Sequence, residues 1–121
     1  MKRVLVVDDE AYMREMIDDM LSDEYEIQQA ENGVEALSLL ESDEYDLVIT
    51  DLVMPEMNGI DLLMNIDKKT PGQKVVAISG GGGLNGRFDY LPVAKLIGAC
   101  TVIRKPFEVM ELRKAVEEIL A

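Results

Sequence analysis

Five side chains in this sequence suit one piece of chemistry. Asp8 and Asp9 directly follow the apolar run Arg3–Val7, and Asp51 follows the run 46–50. Ser79 closes the run 74–79, and Lys105 comes just after 101–104. Carboxylates held side by side raise one another's pKa unless a cation screens them. Oxygen-only ligands favour a hard ion, and an open carboxylate pair suits Mg²⁺, which keeps several of its waters. With an ammonium from Lys105 and a hydroxyl from Ser79 at the same mouth, the set suits phosphoryl transfer, one carboxylate acting as nucleophile. Taken singly, each residue has a plainer role. Asp9 would cap a helix, Asp51 would sit in a loop, Ser79 would belong to a turn, and Lys105-Pro106 would be an exposed strand end. Their shared position, each at the end of an apolar run, favours the joint reading.

The elements that must position them alternate along the chain. Arg3–Val7 is a short β-branched run that reads as a central strand. Residues 10–21 place Met13, Met16, Ile17, Met20 and Leu21 on one helical face, with Arg14, Glu15, Asp18 and Asp19 outside. Residues 25–30 suit a strand near the sheet edge, and Asn32-Gly33 opens a helix carrying Val34, Leu37 and Leu40 inward. Strands are expected over 46–50, 74–79 and 101–104, and helices over 60–67, 88–97 and 107–120. Strands alternating with helices predict an α/β fold, a parallel sheet covered on both faces through right-handed crossovers. Ligands of such sheets bind beyond the carboxyl ends of the strands, at the topological switch point. The five residues fall there.

Composition removes competing chemistries. The 121 residues fit one domain, expected to span 1–121. Histidine is absent, so this chain can build neither a Ser-His-Asp or Cys-His site nor a zinc site with histidine ligands. With 12 basic against 24 acidic residues the net charge is −12, which disfavours direct nucleic-acid binding. No membrane span or signal peptide is expected. The single Cys100 allows no internal disulfide and reads as a small buried apolar residue, which suits a cytoplasmic location.

These residues together make the sequence recognisable. Asp8-Asp9-Glu10, the stretch Asp51-Leu-Val-Met-Pro-Glu-Met-Asn-Gly59, Ser79 and Lys105-Pro106-Phe107 resemble the receiver domain of bacterial two-component response regulators, over essentially the whole chain. The resemblance implies a flavodoxin-like doubly wound (βα)5 fold with five parallel strands in order 2-1-3-4-5. It makes Asp51 the phosphoacceptor and Asp9 a direct Mg²⁺ ligand. Asp8 would reach the metal mainly through water, and Val53 would lend its backbone carbonyl. Lys105 would pair with the phosphoryl group, Ser79 would be the switch hydroxyl, and the Lys105-Pro106 bond would be cis. The implied partners are a sensor histidine kinase or a histidine phosphotransfer protein, plus a downstream protein target. The kinase would dock near the first helix and the loop after the last strand. The implied states are a monomer or a phosphorylation-dependent dimer.

The sequence departs from the family pattern in three places. Val102 stands where an aromatic switch residue is usual. Val53 and Gly81, two positions beyond Asp51 and Ser79, have no polar side chain to orient an attacking water. The segment between Ser79 and Lys105 is longer than the family spacing, the excess lying in Gly80-Gly81-Gly82-Gly83-Leu84-Asn85-Gly86. Gly81-x-Gly83-x-x-Gly86 imitates a dinucleotide fingerprint, and Gly81 to Gly86 spaces like a P-loop, but Arg87-Phe88 replaces the Lys-Ser/Thr that a P-loop needs. It reads as a flexible loop.

A stand-alone, phosphorylation-dependent signalling module without an output domain fits best. A phosphatase or hydrolase with a carboxylate nucleophile would usually need a cap or extra loops to enclose substrate. A pseudo-receiver that binds partners without phosphorylation sits poorly with the intact Asp8, Asp9, Asp51, Ser79 and Lys105 set. The module is therefore expected not to be an enzyme beyond its own phosphotransfer and slow autodephosphorylation.

Overall fold

The apolar runs become five strands, β1 (Arg3–Val7), β2 (Glu26–Ala30), β3 (Leu47–Asp51), β4 (Val75–Ser79) and β5 (Thr101–Arg104). They form one parallel sheet in the order β2-β1-β3-β4-β5, as the resemblance implies. The structure, a computed structural model, describes residues 1–52, 59–79 and 98–121. Val53, the segment Gly80–Gly86 and the helix expected over 88–97 lie outside the described residues. Four helices are described: α1 (Ala11–Leu21), α2 (Gly33–Ser42), α3 (Gly59–Lys69) and α4 (Val109–Leu120).

Burial follows strand position. All of β3 and β4 and nearly all of β1 are buried, as parallel strands covered on both faces must be. Edge strand β2 exposes Glu26 and Gln28 and buries Ala30. Side chains alternate between two cores, one on each face of the sheet. Leu5, Val7, Val48 and Ala77 join Ala36, Leu62 and Ile66 from α2 and α3. Val4, Val6, Ile49 and Ile78 join Met13, Ile17, Leu112 and Val116 from α1 and α4.

The helix ends have identifiable chemistry. Asn32 caps α2 by accepting from the Glu35 N–H at 2.8 Å, and Glu35 accepts from the Glu31 N–H at 3.1 Å. α3 carries Asp61 in its first turn and Lys68 and Lys69 in its last, matching the helix dipole. Gly72, at φ 88°, takes the left-handed backbone that turns the chain from α3 toward β4. At the end of α4, Lys74 Nζ donates to the Ile119 carbonyl at 3.0 Å. Arg113 ties the same helix to the loop after α1, donating to Glu24 at 2.8 Å and to Asp23 at 3.3 Å.

Three expectations about burial are corrected. Met16 is 36% exposed because it lies at the rim of the Met13–Ile17–Leu21 stripe. Val34 is 55% exposed because Gly33 and Ala36 take the buried positions of α2, with Leu37 and Leu40 partly buried beside them. Cys100 is exposed rather than buried. It sits just before β5, and the neighbouring Ala99 fills the core position. Among the described residues, no helix is long and apolar enough to cross a membrane.

Candidate functional site

Strand register brings the candidate residues together. Val7 pairs with Thr50, so Asp8 and Asp51 leave the adjacent strands β1 and β3 at the same level. Ser79 pairs with Arg104, so Lys105 follows one step beyond. Backbone bonds extend the alignment past the strands, from the Asp8 N–H to the Ala30 carbonyl at 3.2 Å and from the Lys105 N–H to the Ser79 carbonyl at 2.7 Å. The Thr50 hydroxyl donates to the Asp51 carbonyl at 2.9 Å.

Lys105 Nζ lies 3.2 Å from Asp51 Oδ2 and 3.6 Å from Asp8 Oδ2, so one ammonium bridges the two acids. Asp8 and Asp51 are only 2% and 6% exposed. Burial pushes the Asp8 carboxyl up to about 6, with the charges of Asp51 and Asp9 adding to it; the Glu10 N–H and Lys105 pull the other way. Burial works against the Lys105 charge, but Asp51 and Asp8 outweigh it and hold its pKa above the usual lysine value. The Lys105–Pro106 peptide is cis, as the resemblance implies.

Asp8, Asp9 and Glu10 each offer a carboxylate oxygen, all within 4.8 Å of one another. Asp9 and Glu10 are exposed, and the Glu10 N–H donates to Asp8 Oδ1 at 2.9 Å. All these donors are oxygens, and the net negative charge is held beside buried apolar strands. The acidic cluster therefore fits a hard divalent cation such as Mg²⁺. Ser79 is fully buried, and its Oγ has no hydrogen-bond partner among the described residues. Val53, expected to add a carbonyl, lies outside the described residues.

One polar residue that the helical pattern placed outside reaches this site, and a second, on β2, stands behind it. Arg14 is not a solvated outer-face residue. It is half-buried, and its Nη1 donates to the Asp8 carbonyl at 2.7 Å. Its Nε donates to Gln29 Oε1 at 3.2 Å, and Gln29 Nε2 donates to Asp18 Oδ2 at 2.9 Å. The available signal is position: a long cation in the first turn of a helix can lean toward the helix N-terminus and meet the strand end.

Fold and site define a doubly wound α/β domain with a carboxylate–lysine centre at the carboxyl end of its strands. The chain belongs to the response regulator receiver domain family, whose pattern matches residues 4–117, and so is a phosphoacceptor module of two-component signalling. It is 32% identical over 120 residues to sporulation initiation phosphotransferase F of Bacillus subtilis, covering 98% of this chain and 94% of that one. It is 37% identical over 120 residues to the chemotaxis protein CheY of Thermotoga maritima, covering 98% and 97%. The crystal structure of the response regulator TrrA from Thermotoga maritima, in complex with Mg²⁺-BeF, superposes with a TM-score of 0.86 at 36% identity, covering 99% of this chain and 100% of that one. Receiver domains are signalling modules, and the family interacts with histidine kinases and phosphotransfer partners.

Proposed function

We propose that Asp51 accepts a phosphoryl group from a phosphohistidine of a sensor kinase or phosphotransfer protein, and that Asp8, Asp9, Asp51 and the Val53 carbonyl hold Mg²⁺ for the transfer. The observation that carries this is the Lys105 ammonium, 3.2 Å from Asp51 Oδ2 and shared with Asp8. An Asp51 oxygen forms the new bond to phosphorus as the P–N bond to the donor imidazole breaks, the electron pair staying on the imidazole nitrogen. Lys105 pairs with a phosphoryl oxygen, and Mg²⁺, when bound, supplies charge that neutralises the equatorial oxygens. Ser79 donates its hydroxyl to another phosphoryl oxygen as the switch group, a role supported by a buried Oγ that has no hydrogen-bond partner among the described residues. Residues 1–121 act as one receiver domain, in the cytoplasm, as a monomer or a phosphorylation-dependent dimer. The domain switches the binding of a protein target or relays the phosphoryl group, and is not an enzyme beyond its own phosphotransfer and slow autodephosphorylation.

A small phosphodonor with Mg²⁺ tests the assignment. Intact-mass analysis is expected to show one added phosphoryl group, lost in Asp51→Asn and without metal. Undiminished labelling of Asp51→Asn would overturn it. The phosphoryl state is expected to last many minutes or longer, because Val53 and Gly81 offer no side-chain hydrogen bond to an attacking water. Such positioning is typically worth about 10²-fold or more. Val53→Asn should shorten the lifetime, and decay of the unaltered protein within seconds would contradict this.

A further inference from the structure

We propose that Arg14 is a positioning residue for the metal-holding acids, fixing the peptide between Asp8 and Asp9, and that Gln29 holds Arg14 in place. This role presupposes Mg²⁺ at Asp8 and Asp9, as proposed above. Asp8 lies one residue beyond β1, where its carbonyl has left the sheet ladder. Arg14 supplies the missing donor at 2.7 Å, a length typical of charge-assisted bonds. The guanidinium cannot swing about that bond, because its Nε is committed to Gln29 at 3.2 Å. Gln29 is fixed in turn. It sits on β2 opposite Val6, and its amide nitrogen donates to Asp18, one turn along α1 from Arg14, at 2.9 Å.

Asp8 is thus held at every polar atom. Its N–H bonds to Ala30, its carbonyl accepts from Arg14, Oδ1 accepts from the Glu10 N–H, and Oδ2 faces Lys105. The Asp8–Asp9 peptide plane then has one orientation, and the Asp9 side chain leaves from that plane. Without Arg14 the plane loses the bond to its carbonyl, keeping only the flanking bonds to Ala30 and Glu10, and the mutual aim of the two acids loosens. Arg14→Lys would keep the charge and a donor for the Asp8 carbonyl, but its single nitrogen lacks the fixed fork by which Nη1 and Nε serve Asp8 and Gln29 together. The conservative variant therefore separates charge from geometry.

Calorimetric titration of the metal-free full chain with Mg²⁺ alone tests this, with thermal unfolding recorded in parallel. Loss of an outer-shell partner typically weakens metal affinity about 10–100-fold. Arg14→Met is expected in that range, Arg14→Lys between it and the unaltered protein, and Gln29→Leu weaker in the same direction by less. A merely structural role would lower the melting temperature and leave the Mg²⁺ affinity unchanged, which would overturn the assignment. If Arg14→Met does not fold, Arg14→Lys and Gln29→Leu decide by the same criterion. Asp9→Asn separates the two levels. If the unaltered protein binds Mg²⁺ and Asp9→Asn does not, wild-type affinity in the Arg14 and Gln29 variants removes this inference alone. If the unaltered protein binds no Mg²⁺, the metal reading falls and this role falls with it.

Discussion

Asp8 ionises against its surroundings. Its carboxyl is pushed from 3.8 to about 6, first by burial and then by the neighbouring acids. The folded chain therefore binds this proton more tightly than the unfolded chain does, and stability falls as pH rises from about 4 through 6. A rise from 3.8 to about 6 corresponds to on the order of 3 kcal/mol at neutral pH. A bound cation offsets that cost only while Asp8 is ionised, so Mg²⁺ affinity should be full above about pH 6 and fall as pH drops through it. Asp8→Asn should raise the melting temperature of the metal-free protein at pH 7.5 while weakening Mg²⁺ binding. A variant that lost both together would show that the carboxylate is not strained as described. Asp8, Asp51, Ser79 and Lys105 could be found in the sequence because each lies within a step of an apolar run's end, where topology alone sets direction. Arg14 had only its first-turn position as a signal, and Gln29 had none. A polar residue on a helix flank or an edge strand has the same pattern whether it meets water or a carbonyl.

Among the elements, α2 shows local chemistry most openly. Its apolar side is weak, with Gly33 and Ala36 as its buried residues, so its start depends on the Asn32 and Glu35 caps. Asn32→Ala is expected to cost about 1 kcal/mol, read as a lower denaturation midpoint with an unchanged slope. The same weakness explains the misplacement of Val34. Where small residues form the buried stripe, hydropathy points to the larger neighbour, and only packing shows that the helix approaches the sheet through Gly33 and Ala36. Strands β1, β3 and β4 needed no such help, since buried parallel strands read as continuous β-branched runs. Helix bounds moved more. The last helix starts at Val109 rather than residue 107, because Glu108, the residue before it, is extended.

At the scale of the molecule, the sheet is a partition. The core under α2 and α3 and the core under α1 and α4 share strands but alternate residues, so their side chains are separated by the backbone layer. Free energies of change on opposite sides should therefore add. Ile66→Val beneath α3 and Ile17→Val beneath α1 should each cost roughly 0.5–1.5 kcal/mol. Their double variant should match the sum within about 0.5 kcal/mol by denaturant unfolding. A larger discrepancy would mean that strain crosses the sheet. Additivity of this kind has an evolutionary consequence. The helices on one face can drift in sequence to suit a new partner without repacking the opposite face, while the strand ends that both faces share keep the chemistry in place.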